Sequence, residues 1–247
     1  KALLLVSEDN GKLWNDSFVV DAESGKTERF LSKKSDGADY CVLTDEGLNS
    51  SNGKIPFFSG RNYENSTQKD LFIKDGSRET LLAKDVYGYL AVADGDAFLY
   101  LVRAENGEIK AVRNENGEAT DILTLQKNAN VRYSYSNGYL LDEAEGLLYS
   151  VSTGERISLD GYTVTQAEQM AVSGDGKYLA VLGYVENITD YQLQIFDLTT
   201  GNCLKYSDEI FLQHTSLYFI DNKTVVYTVG NAYQGCRYVI ADISKGL

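Results

Sequence analysis

Six polar tips ending at or next to a glycine divide the chain into units of similar length. They are "DAESGK" (Asp21–Lys26), "KDGSRE" (Lys74–Glu79), "NENGE" (Asn114–Glu118), "VSTGE" (Val151–Glu155), "DLTTGN" (Asp197–Asn202) and "DISKG" (Asp242–Gly246). Each follows a run rich in apolar and β-branched residues, such as "FVV", "LFI" or "QIF". The glycines are Gly25, Gly76, Gly117, Gly154, Gly201 and Gly246, spaced by 51, 41, 37, 47 and 45 residues. Glycine at a tip supplies the backbone freedom of a tight turn. Helical spacing of apolar residues is not sustained anywhere, so each unit must be filled by strands.

The third unit shows how. "GYLAVAD" (Gly88–Asp94), "AFLYLVR" (Ala97–Arg103), "EIKAVRN" (Glu108–Asn114) and "ATDILTL" (Ala119–Leu125) are four apolar segments separated by Gly95-Asp96, Glu105-Asn106-Gly107 and Glu115-Asn116-Gly117. Asn-Gly between apolar runs is a strong hairpin signal. The fifth unit repeats the order with "EQMAVS", "YLAVLGYV", "YQLQIFDL" and "CLKYSDEI" (Glu168–Ile210). Four-strand units at a period in the forties predict an all-β chain, a β-propeller of about six four-stranded antiparallel blades. The alternative is a seven-bladed ring with one part trimmed away. The expected organisation is one domain over residues 1–247, with blades at roughly 1–35, 36–86, 87–129, 130–161, 162–212 and 213–247. The first blade begins at its second strand and the last stops after its third.

Composition supports the same class. Among 247 residues there are 18 Tyr and 22 Gly, against one each of Pro, Met, Trp and His. Tyrosine favours strands and glycine the turns between them. No apolar run approaches the ~18 residues of a membrane helix. "ALLLV" (Ala2–Val6) reads as a strand, so any export signal or anchor is expected to have been removed or never present. The net charge of −13 repels phosphate backbones and anionic lipids, so neither nucleic acid nor membrane insertion is expected. Cys41, Cys203 and Cys236 form no CxxC pair. They are expected to be buried reduced thiols, with a Cys203–Cys236 disulfide as the alternative.

"SGDGKYLAV" (Ser173–Val181) resembles the first corner of WD40-like and TolB-like propeller blades. "DAESGK" and "DLTTGN" resemble the Asp-x-x-Thr-Gly turn of quinoprotein-like and YVTN-like propellers. The likeness spans the chain as a rhythm. The quinoprotein repeat implies a Trp shortly after the turn, where this chain has Arg29 and Phe30 in one copy and Lys205 and Tyr206 in another. A quinone is therefore not expected, and no other cofactor is. The WD40 Gly-His and Trp-Asp pairs are missing too. The resemblance that remains is to divergent propellers of bacterial envelope and surface proteins, which implies an extracytoplasmic setting.

Catalytic signals are sparse. A serine or cysteine triad would need His214, the only histidine, at "LQHTSLY". No GxSxG or HExxH motif occurs. Asp175 lacks the neighbouring oxygen ligands of a calcium loop and reads as a turn residue. Paired-carboxylate hydrolysis could draw on Asp45, Asp94, Asp96, Asp142, Glu143 or Asp221, most of them at strand ends. No metal site and no catalytic residue is expected.

The connections divide by length. Naming the strands of a blade a to d, the a–b and c–d turns share one face, and the b–c and d–a connections share the other. The b–c loops are long: Ser7–Asp16, Ser59–Asp70, Gly183–Tyr191 and Gly230–Cys236. They carry Trp14, Arg61, Tyr63, Tyr184, Tyr191 and Tyr233, which are the expected ligand-binding residues. Long loops on a rigid scaffold are where function concentrates, and aromatic residues with interleaved Arg and amides suit protein recognition. The expected function is a non-enzymatic scaffold, monomeric, binding a protein or peptide. Its alternative is a carbohydrate-binding or carbohydrate-active propeller with a site in the central funnel.

Overall fold

The structure, a computed structural model, describes residues 2–6, 16–20, 24–30, 40–43, 54–60, 69–94, 96–125, 132–185, 191–210, 217–231 and 235–245. They form antiparallel sheets and one 3-10 turn, Ile243–Lys245. The chain divides into two compact units, Lys1–Ala129 and Asn130–Leu247.

The first unit holds three sheets. β1 (Ala2–Val6), β2 (Asp16–Val20) and β3 (Thr27–Phe30) make the first. β4 (Tyr40–Leu43), β5 (Ile55–Gly60), β6 (Lys69–Asp75) and β7 (Arg78–Ala83) make the second. β8 (Val86–Asp94), β9 (Ala97–Arg103), β10 (Ile109–Glu115) and β11 (Glu118–Thr124) make the third. The second unit continues in the same way. Its first sheet is β12 (Tyr133–Ser136), β13 (Tyr139–Asp142), β14 (Leu147–Ser150) and β15 (Arg156–Ser158). Next come β16 (Val164–Val172), β17 (Tyr178–Val185), β18 (Tyr191–Asp197) and β19 (Cys203–Ile210), then β20 (Leu217–Phe219), β21 (Thr224–Asn231) and β22 (Gly235–Asp242). Every sheet is a meander in chain order, as the repeat predicts.

The turns close for local reasons. Between β10 and β11, Asn116 and Gly117 both have positive φ (55° and 91°), the requirement of a type I′ hairpin. Asn137 and Gly138 do the same between β12 and β13 (44° and 81°). In "DLTTGN" the Asp197 carboxylate accepts the Thr199 N–H at 2.8 Å and the Thr199 hydroxyl at 2.6 Å, while its carbonyl accepts the Gly201 N–H at 2.7 Å. Asp242 and Ser244 repeat the side-chain half of this arrangement. At the "SGDGK" corner Asp175 accepts the Ser173 hydroxyl at 2.9 Å and the Lys177 N–H at 3.3 Å. Partial desolvation pushes its carboxyl up, but these bonds and the Lys177 charge hold it below the usual range. Asp221 likewise accepts two backbone N–H groups, from Lys223 and Thr224. Both serve as turn residues.

The core lies between sheets. β17 shows why its apolar run is continuous. Leu179 and Val181 join Leu141, Leu148 and Phe196 on one side; Ala180 and Leu182 join Leu193, Leu217, Val225 and Tyr227 on the other. Alternate side chains of a strand face opposite ways, and here both faces are buried. In the first unit Phe58, Leu71, Val86, Ala91, Tyr100 and Val112 form the matching layer. Cys203 is half-buried and packs against the second unit's core. Cys41 and Cys236 have no described side chain.

Two inner strands depart from the predicted bounds. β8 begins at Val86 rather than Gly88, and its pairing slips between Val86↔Val102 and Ala91↔Tyr100. β16 begins at Val164 rather than Glu168, with two slips, Val164/Gln166 and Ala167/Gln169. Bulges disturb side-chain alternation, so the pattern does not mark these first turns as strand. Gly183 lies opposite Ala167, beside the second slip of β16. A Cβ there would sit 2.1 Å from the Gln166 carbonyl oxygen. Gly183→Ala is therefore expected to lower unfolding stability by about 2–4 kcal/mol, through a clash with backbone. Gly117→Ala, which meets no atom within 4 Å, should cost only the left-handed backbone penalty, about 1–2 kcal/mol. Urea unfolding of both variants checks the ranking, and equal losses would refute the close-approach account.

Candidate functional site

Asp142 ends β13 and Glu143 opens the b–c turn that leads to β14. Both carboxylates are interior, with 0% and 4% exposure. The Asp142 Oδ1 atom accepts the N–H groups of Ala144 and Glu145 at 3.1 and 3.2 Å, and the Asp142 carbonyl accepts that of Gly146. This closes the turn. The other carboxylate oxygen, Oδ2, is buried with no hydrogen-bond partner among the described residues. Glu143 is satisfied on both oxygens. It accepts the Ser134 hydroxyl at 2.7 Å, from β12, and the Ala167 N–H at 3.0 Å, from β16. Glu143 thus ties β12 to β16 beside the second slip of β16.

Tyr162 completes the cluster. Its ring lies over Gly146, where a Cβ would meet the ring at 2.7 Å, and stands 6.2 Å from the Phe196 ring. Its hydroxyl is buried without a partner among the described residues. Desolvation raises the Tyr162 phenol far above its usual range, and the charges of Glu143 and Asp142 add to that. Burial also pushes both carboxyls up, against the N–H groups that stabilise Asp142 and the Ser134 and Ala167 donors that stabilise Glu143. Burial thus disfavours the charged form of each of the three groups.

The expected binding residues divide sharply. Trp14, Arg61, Tyr63 and Tyr233 lie outside the described residues, as do His214 and Asp45. Tyr184 and Tyr191 do not. They are register partners across β17 and β18, at the b–c end of that sheet. Tyr184 is half-buried, pairs with Gln166 on its other side, and its carbonyl accepts the Thr165 hydroxyl at 3.4 Å. Through Gln166 and Ala167 this tyrosine end adjoins the Glu143 tie. Gln166 donates to Glu168 at 2.8 Å beside it, and on β12 Tyr133, Ser134, Tyr135 and Ser136 are all half-buried. Among the described residues no group of three or more His, Cys, Asp or Glu side chains could hold a metal ion.

Sequence reasoning weighed Asp142 and Glu143 only as members of a list of carboxylates, and missed Ser134 and Tyr162. The available signal was that "YLLDE" runs straight from apolar strand into paired acids, which is unusual for an exposed tip.

No protein-family model matches the sequence, and no curated protein does. Solved structures match over most of the chain. A puromycin hydrolase, the S511A mutant complexed with PGG, is 16% identical with a TM-score of 0.56 over 94% of this chain and 40% of its own. A eukaryotic initiation factor is 10% identical with a TM-score of 0.52, covering 93% of this chain and 58% of that one. TolB from Acinetobacter baumannii is 15% identical with a TM-score of 0.49, over 92% and 57%. This chain thus spans less than two thirds of each of the three. At these identities the likeness is one of fold: the chain has an all-β, propeller-type fold.

The buried carboxylate has a pH signature. Asp142 keeps its proton in the native state over a range where the unfolded chain, near 3.8, has lost it. Its contribution to stability therefore falls as pH rises from that value through the raised native one. Asp142→Asn should flatten this part of the stability–pH curve and raise stability at pH 7 by about 1 kcal/mol. Chemical unfolding from about pH 4 to 7 tests it. A variant whose stability varies with pH as steeply as the wild type's would show that Asp142 is not the group responsible.

Proposed function

We propose that the chain is a non-enzymatic binding scaffold that recognises a protein or peptide through its b–c loops. The observation that carries the reading is the pairing of Tyr184 with Tyr191 at the b–c end of one sheet, beside the half-exposed amide of Gln166. Tyrosines at register-partner positions on adjacent strands bring two residues of a type favoured in recognition to one end of the sheet. The buried carboxylates argue against hydrolysis. Asp142 and Glu143 are turned inward and engaged in turn and strand contacts. A glycosidase pair must reach both faces of a scissile bond.

The alternative is carbohydrate binding along the inner strands. It is favoured by the row of half-buried hydroxyl-bearing side chains Tyr133 to Ser136 on β12, next to Gln166 and Gln169 on β16. Both readings share an extracytoplasmic setting at the bacterial cell envelope or surface, supported by the acidic charge and sparse cysteines.

One pair of assays separates them. The protein reading expects specific protein partners in a crosslinked pull-down, lost with Tyr184→Ala or Tyr191→Ala while the thermal midpoint of the variants holds. It also expects a blank glycan array. Glycan binding that disappears with Tyr184→Ala would overturn it in favour of the carbohydrate reading. Glycan turnover lost with Asp142→Asn would overturn the non-enzymatic reading.

A further inference from the structure

Three Asn-Gly pairs lie among the described residues, at Asn106, Asn116 and Asn137. Two more, Asn10-Gly11 and Asn52-Gly53, lie outside them. Such a pair carries its own chemistry. Attack of the glycine nitrogen on the asparagine carboxamide carbon closes a five-membered ring, and with no Cβ on the glycine nothing crowds the approach. Asn116-Gly117 and Asn137-Gly138 share a backbone, with left-handed φ of 55° and 91° in the first and 44° and 81° in the second. Both glycine N–H groups are engaged. Gly117 donates to the Asn114 side-chain oxygen and Gly138 to the Tyr135 hydroxyl, each at 3.1 Å. Either turn must open locally before its nitrogen can turn onto the carboxamide.

The asparagine side chains differ. Asn116 is exposed at its hairpin tip, and its carboxamide makes no hydrogen bond among the described residues. Asn137 donates from Nδ2 to the Ser173 carbonyl at 2.8 Å, across to the a–b corner of the next sheet. Nδ2 is the atom that must leave. The Gly138 carbonyl also accepts the Val151 N–H at 2.9 Å, and the Tyr139 hydroxyl lies over Gly176 in that next corner. Opening the Asn137 turn therefore disturbs a joint between sheets, whereas opening the Asn116 turn only frays a hairpin end. Asn106 stands between the two: its Oδ1 accepts the Glu108 N–H at 3.0 Å, but its amine is not tied to another sheet.

We propose that Asn116 is a self-modification site of the folded chain, converting to aspartyl and isoaspartyl residues, and that the Asn137–Ser173 tie protects the matching pair at Asn137. The Gly117 nitrogen loses its proton to base and bonds to the Asn116 Cγ atom. The Cγ–Nδ2 bond breaks, and Nδ2 takes up a proton and leaves as ammonia. Water then opens the succinimide. Cleavage of the new bond to Cγ gives aspartate; cleavage of the bond to the original backbone carbonyl carbon gives isoaspartate, with the chain running through Cβ. Nothing is oxidised or reduced, and water is the only co-reactant. The rate rises with pH, because the attacking nitrogen must be deprotonated. The product puts a carboxylate beside Glu115 and Glu118, which are register partners at the end of β10 and β11. The isoaspartyl form also lengthens the backbone of a two-residue turn.

Trypsin separates the three sites, into Ala104–Lys110, Asn114–Lys127 and Tyr133–Arg156. The intact chain is incubated in mildly alkaline buffer, with and without concentrated urea, and amide-to-acid conversion in each peptide is followed by mass. In the native chain Asn116 should convert at least about fivefold faster than Asn137, the factor that one hydrogen bond of ordinary strength implies. In urea the two rates should converge. Gly117→Ala, whose methyl group crowds the attacking nitrogen, should slow conversion at Asn116 in either solvent and leave Asn137 unchanged. A native Asn116 no faster than Asn137 would overturn the proposal, as would a native Asn116 that stays intact while the unfolded chain converts. A preference unchanged in urea would also overturn it, since neighbouring residues rather than the fold would then set the order. Conversion at Asn116 that ignores Gly117→Ala would rule out the succinimide route. None of these outcomes bears on the b–c loops, so the site stands or falls apart from the tyrosine reading.

Discussion

A single sheet cannot bury its own apolar faces, and among the described side chains the sheets of the second unit bury theirs against one another. β17 shows the constraint most clearly. Its side chains go alternately into two different cores, one shared with the sheet before it and one with the sheet after. A middle sheet of this kind cannot be removed or reversed without exposing two apolar surfaces. Burial of each large side chain contributes about 1.5–3 kcal/mol, so the stacking dominates over any single turn or ion pair. The surface ion pairs, such as Arg113 with Glu115, are exposed and contribute little by comparison.

That same constraint accounts for the polar groups found inside. Two of the first strands, β8 and β16, pair with their neighbours through bulged backbones. A bulge frees an N–H from the ladder, and a buried N–H needs a partner. Glu143 supplies it for Ala167 while its other oxygen takes the Ser134 hydroxyl. Gln192 and Gln194, also buried, hold the connection between β15 and β16 in the same way. Gln194 takes the Thr163 N–H and donates to the Gly161 carbonyl, and Gln192 takes the Thr163 hydroxyl. Buried acids and amides here are connectors of sheets, and their inward direction is what withholds them from a substrate.

Much of the fold was legible because turn chemistry is local. Asn116-Gly117 and "DLTTGN" specify their hairpins with residues that lie within the turn, so spacing alone located the strands of the third and fifth units to within a few residues. The first turns of β8 and β16 were not legible. Their residues pair with a partner strand only through a slipped register, and no residue type encodes a slip. The candidate site was half legible for a similar reason. Tyr184 and Tyr191 flank one loop and so were found together by position. Tyr162 joins the carboxylates only because the connection after β15 folds back over Gly146, a contact between distant segments that no short motif announces.

The same physics separates the buried acids from any surface that could recognise a partner. At Asp142 the chain has polar atoms in excess of their partners among the described residues, Oδ2 and the Tyr162 hydroxyl, enclosed where they cannot reach solvent. That arrangement fixes a structure and exposes nothing. Recognition needs surface that can lose water on contact, so an interaction site belongs with the half-exposed tyrosine end of β17 rather than with the buried acids. A carboxyl raised by burial marks the joint between two sheets, and its inward direction is what removes it from the binding surface.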